Sequence, residues 1–266
     1  MRIYNTRNIG GINAKWRGRF EMLRNFLKTF GVVQTGDPVV QFKISILEKA
    51  MPAESAVVFG DMWKVDGFYT KNSFELGCKR VVLIDSLETE KWLKTRLQYP
   101  QIDFFKGDFS NTLFMKSIHE TFDVGVAFDI LLHQPPLLNT LHLMLEKIDK
   151  RFCIVQPMLR EQKYPNSLVY LPGNTDELYP LGTKSSEFKM FDISQVNQSH
   201  WIWGMTPTFL HAVFRGEGFD LVQQEELSSL PNENWFWGGY VYEKKRGNTS
   251  HWSTSKVTPG LYKADW

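Results

Sequence analysis

The sequence has few features of a secreted or membrane protein. Its 266 residues include only two cysteines, Cys78 and Cys153, both in or beside apolar runs. They indicate small core residues in a reducing compartment and not a disulfide framework. No apolar stretch approaches the ~20 residues of a membrane span, and the N-terminus lacks the apolar segment of a signal peptide. We therefore expect a cytoplasmic protein without a membrane span.

A large net charge is also missing. The formal net charge of +2 argues against a protein that binds nucleic acid by bulk charge alone. The charge is uneven, because residues 1–50 contain nine Lys/Arg and three acids. No Cys/His spacing suggests structural zinc, and we predict no metal site. A divalent metal ion held by Asp129 and a neighbouring acid is the alternative. With 42% apolar and 14% aromatic residues, the chain can bury one sizeable core with an added cap.

Two glycine motifs of phosphate-binding proteins are absent, G-x-G-x-x-G and G-x-x-x-x-G-K-[ST]. Instead an apolar run ends in Gly60 and Asp61, a turn reaches Gly67, and a predicted helix follows over 68–76. A second apolar run ends in Asp85. This order is typical of the first half of a nucleotide-binding α/β sheet. Asp85, at the tip of the second strand, can accept hydrogen bonds from the two hydroxyls of a ribose. The backbone amides at the start of the helix can face a carboxylate of the ligand.

Predicted strands and helices alternate through the rest of the chain, which favours a doubly wound, mostly parallel α/β sheet. Ser86 is the predicted N-cap of the helix that begins at residue 87. Thr206 is the predicted N-cap of a late helix, with Pro207 at its first position. This late helix covers 208–216, and the other predicted helices cover 14–30, 38–50, 111–120 and 136–147. The other predicted strands cover 102–108, 121–130, 150–157, 219–225 and 235–243.

The turn from Gly60 to Gly67 resembles motif I of the class I S-adenosylmethionine (SAM) methyltransferases. In this resemblance Asp61 is the motif acid and Trp63 stands where the first glycine usually is. It implies a Rossmann-like, seven-stranded sheet with an antiparallel last strand, SAM as cofactor and S-adenosylhomocysteine (SAH) as product. The cofactor-binding residues that it implies are Gly60, Asp61, Trp63, Gly67, Phe68, Asp85, Ser86, Asp108, Phe109 and Phe128. For Asp108, capping of the following helix is the alternative role.

The fourth predicted strand opens with Phe-Asp and is followed by Leu-Leu-His, which resembles motif IV of the same superfamily. The resemblance implies that Asp129 and His133 lie where methyl donor and acceptor meet. An oxygen acceptor needs a base, and His133 is the best-placed candidate. His200 is a second candidate. A histidine at position 133 that only bridges backbone groups is the alternative.

Residues 158–204 are too long for an ordinary connection and contain several prolines and glycines. They leave the fifth strand on the cofactor side, so we predict a substrate cap. Tyr164, Trp201 and Trp203 are its candidate substrate-binding residues, because aromatic rings stack on a sugar face or a base. The predicted organisation is a helical extension (1–53), a SAM-binding domain (54–244) that carries the cap, and a tail (245–266).

The resemblance implies methyl transfer to an oxygen of a small-molecule or saccharide acceptor. An RNA methyltransferase is an alternative, because the Asp-Gly-Phe turn at 66–68 and the W-x-W-G-x-T-P stretch at 201–207 are similar to proteins of tRNA wobble-uridine modification. The basic N-terminal region supports that alternative. A non-catalytic binding or scaffold protein is the third, because Trp63 replaces a glycine. The oligomeric state is left open.

Overall fold

The computed structural model describes residues 36–62, 65–134, 136–161, 168–171, 202–228 and 233–245. Several sequence predictions fall on residues outside these ranges. They are the helix at 14–30, most of the cap at 158–204, nearly all of the tail at 245–266, and the site candidates Trp63, Tyr164, His200 and Trp201.

Helices and strands alternate from Pro38 to Leu159, as predicted. The helices are α1 (Pro38–Ala50), α2 (Phe68–Glu75), α3 (Glu90–Gln98), α4 (Thr112–Ser117), α5 (Leu137–Leu145) and α6 (Pro207–Gly216), with a 3₁₀ turn at Leu131–His133. The strands are β1 (Ser55–Phe59), β2 (Arg80–Asp85), β3 (Ile102–Lys106), β4 (Phe122–Phe128), β5 (Ile148–Leu159), β6 (Leu168–Leu171), β7 (Ile202–Met205), β8 (Phe219–Leu227) and β9 (Trp235–Lys244). After the alternating part, strands follow one another at β5–β7 and β8–β9.

The main sheet has seven strands in the order β3-β2-β1-β4-β5-β9-β8. Strands β1 to β5 pair in parallel, and β9 runs antiparallel to both β5 and β8. The predicted doubly wound sheet with an antiparallel last strand is confirmed. Strand order reverses between β1 and β4, and in such sheets ligands bind outside the carboxyl ends of the strands at that point.

The sheet is covered on both faces, which explains why β1, β2 and β4 are continuous apolar runs. One face packs against α1, α2 and α3 through residues such as Ile46, Tyr69 and Trp92. The other packs against α4, α5 and α6 through residues such as Leu141 and Phe214. Each face therefore has its own buried cluster.

Helix α1 belongs to this packing, although it precedes the stretch that carries the family resemblance. Asp37 caps it by accepting the Val39 N–H at 2.7 Å. Its inner side lies against β9, where a Cβ on Gly239 would come within 2.6 Å of Ile46 Cγ1. The close approach of helix and strand brings the middle of α1 next to the carboxyl end of β4.

The predicted start of α3 was wrong. The helix begins at Glu90 and not at residue 87, and its N-cap is Thr89, whose hydroxyl accepts the Trp92 N–H at 3.1 Å. Ser86 is exposed and is not the cap. The reason is Asp85, whose Oδ1 accepts the Leu87 N–H at 2.8 Å and keeps the first residues after β2 out of the helix.

The long segment after β5 contributes a feature that the sequence did not predict. Strands β6 and β7 pair antiparallel in a separate two-stranded sheet. Strand β7 then leads directly into α6, whose N-cap position is Thr206 and whose first residue is Pro207, as predicted. The hydroxyl of Thr206 makes no capping hydrogen bond to the helix.

The two cysteines are free thiols, and both are buried, as the sequence indicated. Within the described residues, no helix combines the length and the apolar character needed to cross a bilayer.

Candidate active site

Three carboxylates lie at the carboxyl ends of adjacent strands. Asp61 follows β1, Asp85 ends β2 and Asp129 follows β4. These strands neighbour one another in the sheet, so their ends meet at one edge, at the point where strand order reverses. Parallel sheets of this kind bind their ligands in the crevice at that edge.

Asp85 is buried and fixed in orientation. Its Oδ2 accepts the Met62 N–H at 2.9 Å, while Oδ1 accepts the Leu87 N–H at 2.8 Å. Burial raises the pKa of this carboxyl, and the backbone hydrogen bonds oppose that rise. Each carboxylate oxygen has a second lone pair, so both keep capacity for a further donor such as a hydroxyl.

Asp61 caps the helix that follows it. Its Oδ2 accepts the backbone N–H of Thr70 at 2.6 Å and the hydroxyl of Thr70 at 2.7 Å. Gly67 occupies the N-cap position of α2 but has no side chain that could accept a capping hydrogen bond. Asp61, six residues upstream, accepts that hydrogen bond in its place. Burial is the main reason why the pKa of Asp61 is raised to about 7, against the lowering effect of the Thr70 and Tyr69 hydrogen bonds.

This cap corrects one prediction from the sequence. The amides at the start of α2 were expected to face a ligand carboxylate. Instead, the Thr70 amide donates to Asp61, and the Phe68 amide donates to the Val65 carbonyl at 3.0 Å. Because the protein supplies its own acceptors for these amides, the start of α2 is not an anion site.

The two glycines of the motif are explained by protein packing. Gly60 and Gly67 both have positive φ, at 70° and 78°. A Cβ on Gly60 would lie 2.3 Å from Ile130 Cδ1, and one on Gly67 would lie 2.3 Å from Trp92 Cε3. Both positions therefore need glycine for conformation and for space. Phe68 is the first residue of α2 and is half-buried.

Asp108 and Phe109 follow β3 at the same edge of the sheet. Asp108 Oδ1 accepts the backbone N–H and the hydroxyl of Ser110, at 2.8 Å and 2.7 Å. Phe109 is buried against Phe59, with ring centroids 6.0 Å apart. The alternative role of Asp108 as a helix cap is wrong, because Asn111 caps α4.

Asp129 has a partner that the sequence reasoning missed. The buried Lys43 of α1 forms an ion pair and a hydrogen bond with Asp129 Oδ2. The two residues are 86 positions apart, so no local pattern links them. The only sequence signal was the helical pattern of α1. The neighbouring Phe128, at the end of β4, is buried and meets the ring of Tyr69 edge-on at 5.0 Å.

His133 and Trp203 meet at the segment after β4. His133 ends the 3₁₀ turn and is half-buried. The half-buried Trp203 of β7 donates its indole N–H to the backbone carbonyl of Gln134 at 2.8 Å. This bond ties β7 of the two-stranded sheet to the segment that holds His133. For Trp203 the structure shows an anchoring contact, and its role toward a substrate stays a prediction.

No group of three or more His, Cys, Asp or Glu side chains within the described residues is arranged to hold a metal ion. The groups described above at this edge are carboxylates, Lys43 and His133, and they lie among aromatic rings.

No protein-family profile matches the sequence, and comparison with curated proteins also finds no match. Solved structures do match the fold. A 1,6-didemethyltoxoflavin-N1-methyltransferase from Burkholderia thailandensis, solved with 1,6-didemethyltoxoflavin and SAH, superposes with a TM-score of 0.56 at 16% identity. That match covers 89% of this chain and 92% of the other.

Two further solved structures have a similar fold. The N-terminal domain of EvdMO1, solved with SAH and D-fucose, has a TM-score of 0.54 at 11% identity, over 85% of this chain and 97% of that one. The [4+2]-cyclase SpnF has a TM-score of 0.54 at 9% identity, over 77% and 80%. The chain therefore has the fold of the class I SAM-dependent methyltransferases.

Proposed function

We propose that the protein binds SAM and transfers its methyl group to an oxygen of a small-molecule or saccharide acceptor. The proposal rests on the surroundings of one atom, Asp61 Oδ1. This atom is buried, and it has no hydrogen-bond partner among the described residues. A buried carboxylate oxygen without a donor is costly, so a ligand that donates to it is expected. The α-ammonium group of SAM is such a donor.

The other residues at this edge fit the remaining parts of SAM. Asp85 would accept the ribose hydroxyls, since both of its oxygens keep a free lone pair. Asp108 would accept from the adenine amino group, and Phe109 would line the adenine. Gly60 and Phe128 would border the cofactor from β1 and β4. These assignments follow the strand order of the fold and the chemistry of each side chain.

SAM, when bound, supplies a methyl group activated by a sulfonium. The protein then has to hold the acceptor in line with that methyl group and exclude water. Asp129 or His133 would accept the proton that an oxygen acceptor loses. Two neighbours with SAH bound support a small-molecule acceptor, since one was solved with 1,6-didemethyltoxoflavin and the other with D-fucose.

Binding of SAH to the purified protein tests the proposal without knowledge of the acceptor. SAH at 100 to 1,000 times its Kd should stabilise the fold by about 3–4 kcal/mol, seen as a rise in melting temperature. Calorimetry should then show that Asp85→Ala weakens SAH binding by about tenfold or more, because the ribose contact is lost.

Asp123→Ala is the matched control. Asp123 is also an acid that accepts a backbone N–H, from Glu54 at 3.2 Å, but it lies at the opposite end of the strands. Its replacement should leave SAH affinity unchanged. Equal affinities of the Asp85 variant and the wild type would refute the ribose assignment.

Absence of any SAH effect on the wild type would refute the cofactor proposal and favour a binding or scaffold protein. SpnF shows that this fold also serves a cyclase.

An RNA methyltransferase would bind RNA with an affinity that falls steeply as salt is added. Binding of RNA that is weak and insensitive to salt would exclude that alternative.

A further inference from the structure

A buried lysine stands at the edge where methyl donor and acceptor are proposed to meet. The Lys43 side chain is 9% exposed, and its ammonium group pairs with Asp129, whose side chain is 32% exposed. A lysine buried to this degree needs a counter-charge, because an unpaired ammonium in the interior is strongly unfavourable. The ion pair with Asp129 provides it.

Two aromatic rings complete the surroundings of the Lys43 ammonium. It lies 5.1 Å from the centroid of the Trp237 ring and 5.6 Å from that of Tyr69. Both distances are within the range of cation–π attraction. The carboxylate follows β4, the Tyr69 ring comes from α2 and the Trp237 ring comes from β9. Together these three groups hold the ammonium in one place.

Asp129 has a second oxygen that the lysine does not use. Oδ1 is buried and has no hydrogen-bond partner among the described residues. The residue has positive φ, at 58°, and its N–H donates to the Val155 carbonyl at 2.8 Å. A non-glycine residue in this conformation is strained, and such strain is often found at functional sites.

The same region connects Asp129 to the proposed cofactor end. Tyr69 lies in the first turn of α2, directly before Thr70, which binds Asp61. Burial raises the pKa of Tyr69, and the charges of Asp129 and Asp61 add to the effect. The Tyr69 ring also meets the ring of Phe128, the residue directly before Asp129, at 5.0 Å. The methionine part of SAM at Asp61 would bring its methyl group toward Asp129.

We propose that Lys43 is a positioning residue of the reaction centre. It holds Asp129 turned so that Oδ1 faces a neutral acceptor that carries an O–H or N–H group. This role rests on the proposed function, and it narrows the substrate class. Because Lys43 and Asp129 balance each other's charge, the pair offers no net negative charge to a cationic acceptor.

The reaction step is balanced by the groups present. The acceptor's lone pair forms a bond to the methyl carbon, and the carbon–sulfur bond breaks with its electrons staying on sulfur, which gives SAH. The acceptor's proton passes to Asp129 Oδ1 and later to water. Lys43 takes no part in bond making, and it acts through the charge and orientation of Asp129.

Sinefungin provides a test that needs no acceptor. In this SAM analogue, a carbon bearing an amine replaces the methylated sulfur, so its ammonium marks the position of the transferred methyl group. The readout is the ratio of the Kd for SAH to the Kd for sinefungin, measured by calorimetry. Taking the ratio cancels general effects of a mutation on the cofactor site.

Lys43→Met keeps the side-chain length but leaves Asp129 without its cation. The ratio should then rise about tenfold or more, because the free carboxylate attracts the sinefungin ammonium. Asp129→Asn should lower the ratio below that of the wild type, since Lys43 is left unpaired and repels the ligand. Lys43→Arg should stay within about threefold of the wild type, because it restores the charge.

Lys49→Met is the matched control, since Lys49 lies on the same helix and pairs with Glu225 of β8, which is separated from β4 by β5 and β9 in the sheet. Its ratio should equal that of the wild type. If both the Lys43→Met and the Asp129→Asn proteins still bind SAH but their ratios change less than twofold, the role of Lys43 is overturned and the proposed function is not. Wild-type protein that fails to bind SAH would overturn the proposed function as well.

Discussion

Asp61 provides the sharpest test of how this site is built. Its carboxyl is buried, one oxygen caps α2, and the other has no partner among the described residues. Burial raises its pKa from the ordinary value of 3.8 to about 7. The replacement Asp61→Asn keeps an uncharged oxygen for the Thr70 amide but removes the titration.

The size and sign of the effect follow from the two pKa values. The native state holds a proton on Asp61 that the unfolded chain releases, so this contribution to stability is fully present below about pH 4. It is lost as the pH rises through about 7. A difference of about three pKa units corresponds to about 4 kcal/mol above that pH, as an order of magnitude.

Urea unfolding of the ligand-free protein between pH 4.5 and 8 measures this effect. We expect the free energy of unfolding of the wild type to fall relative to that of Asp61→Asn as the pH rises to about 7, and the gap to stay constant above that. Parallel pH profiles of the two proteins would refute the burial of a neutral Asp61.

The same carboxyl should link cofactor binding to proton release. A cofactor ammonium requires the ionised form, so SAH binding at pH 6 should release a proton. SAH affinity should rise as the pH approaches 7. Calorimetry in two buffers of different ionisation enthalpy detects this release. It should be absent in Asp61→Asn. Equal heats in both buffers for the wild type would contradict a contact between Asp61 and the ammonium.

Two further replacements test the packing around the site. Trp203→Phe should cost about 1 kcal/mol of unfolding free energy and speed hydrogen exchange in β7, because the bond to the Gln134 carbonyl is lost. Trp92→Phe is its control, since that indole N–H has no partner in the described chain and the ring packs on the opposite face of the sheet from β7. Equal exchange rates of β7 in the two variants would count against the anchor. Gly67→Ala should cost about 2–3 kcal/mol, because φ is 78° and the new Cβ meets Trp92. Gly36→Ala, where a Cβ meets nothing within 4 Å, should cost little, and chemical denaturation compares the two.

Much of the fold was predictable because its signals are local. Parallel strands covered on both faces are apolar runs, and the glycine turn between β1 and α2 marks the first crossover. The same logic predicted which acids stand at strand ends, namely Asp61, Asp85 and Asp129. Boundaries were less reliable. The start of α3 was misplaced because a side chain of the preceding strand, Asp85, holds the Leu87 amide.

The sequence by itself determined the order of elements from α1 to β5 and the carboxylates at one edge, since each depends on periodicity over a few neighbouring residues. The antiparallel closing pair was implied by the family resemblance. Only the tertiary structure decided what those carboxylates contact. Asp61 turns to the start of α2, and Asp129 meets a lysine 86 positions away on a helix that lies outside the family resemblance. Trp203, predicted to bind substrate, also donates its indole N–H to a backbone carbonyl. Such pairings depend on distances between remote segments, and those distances are set only when helices and sheet pack together.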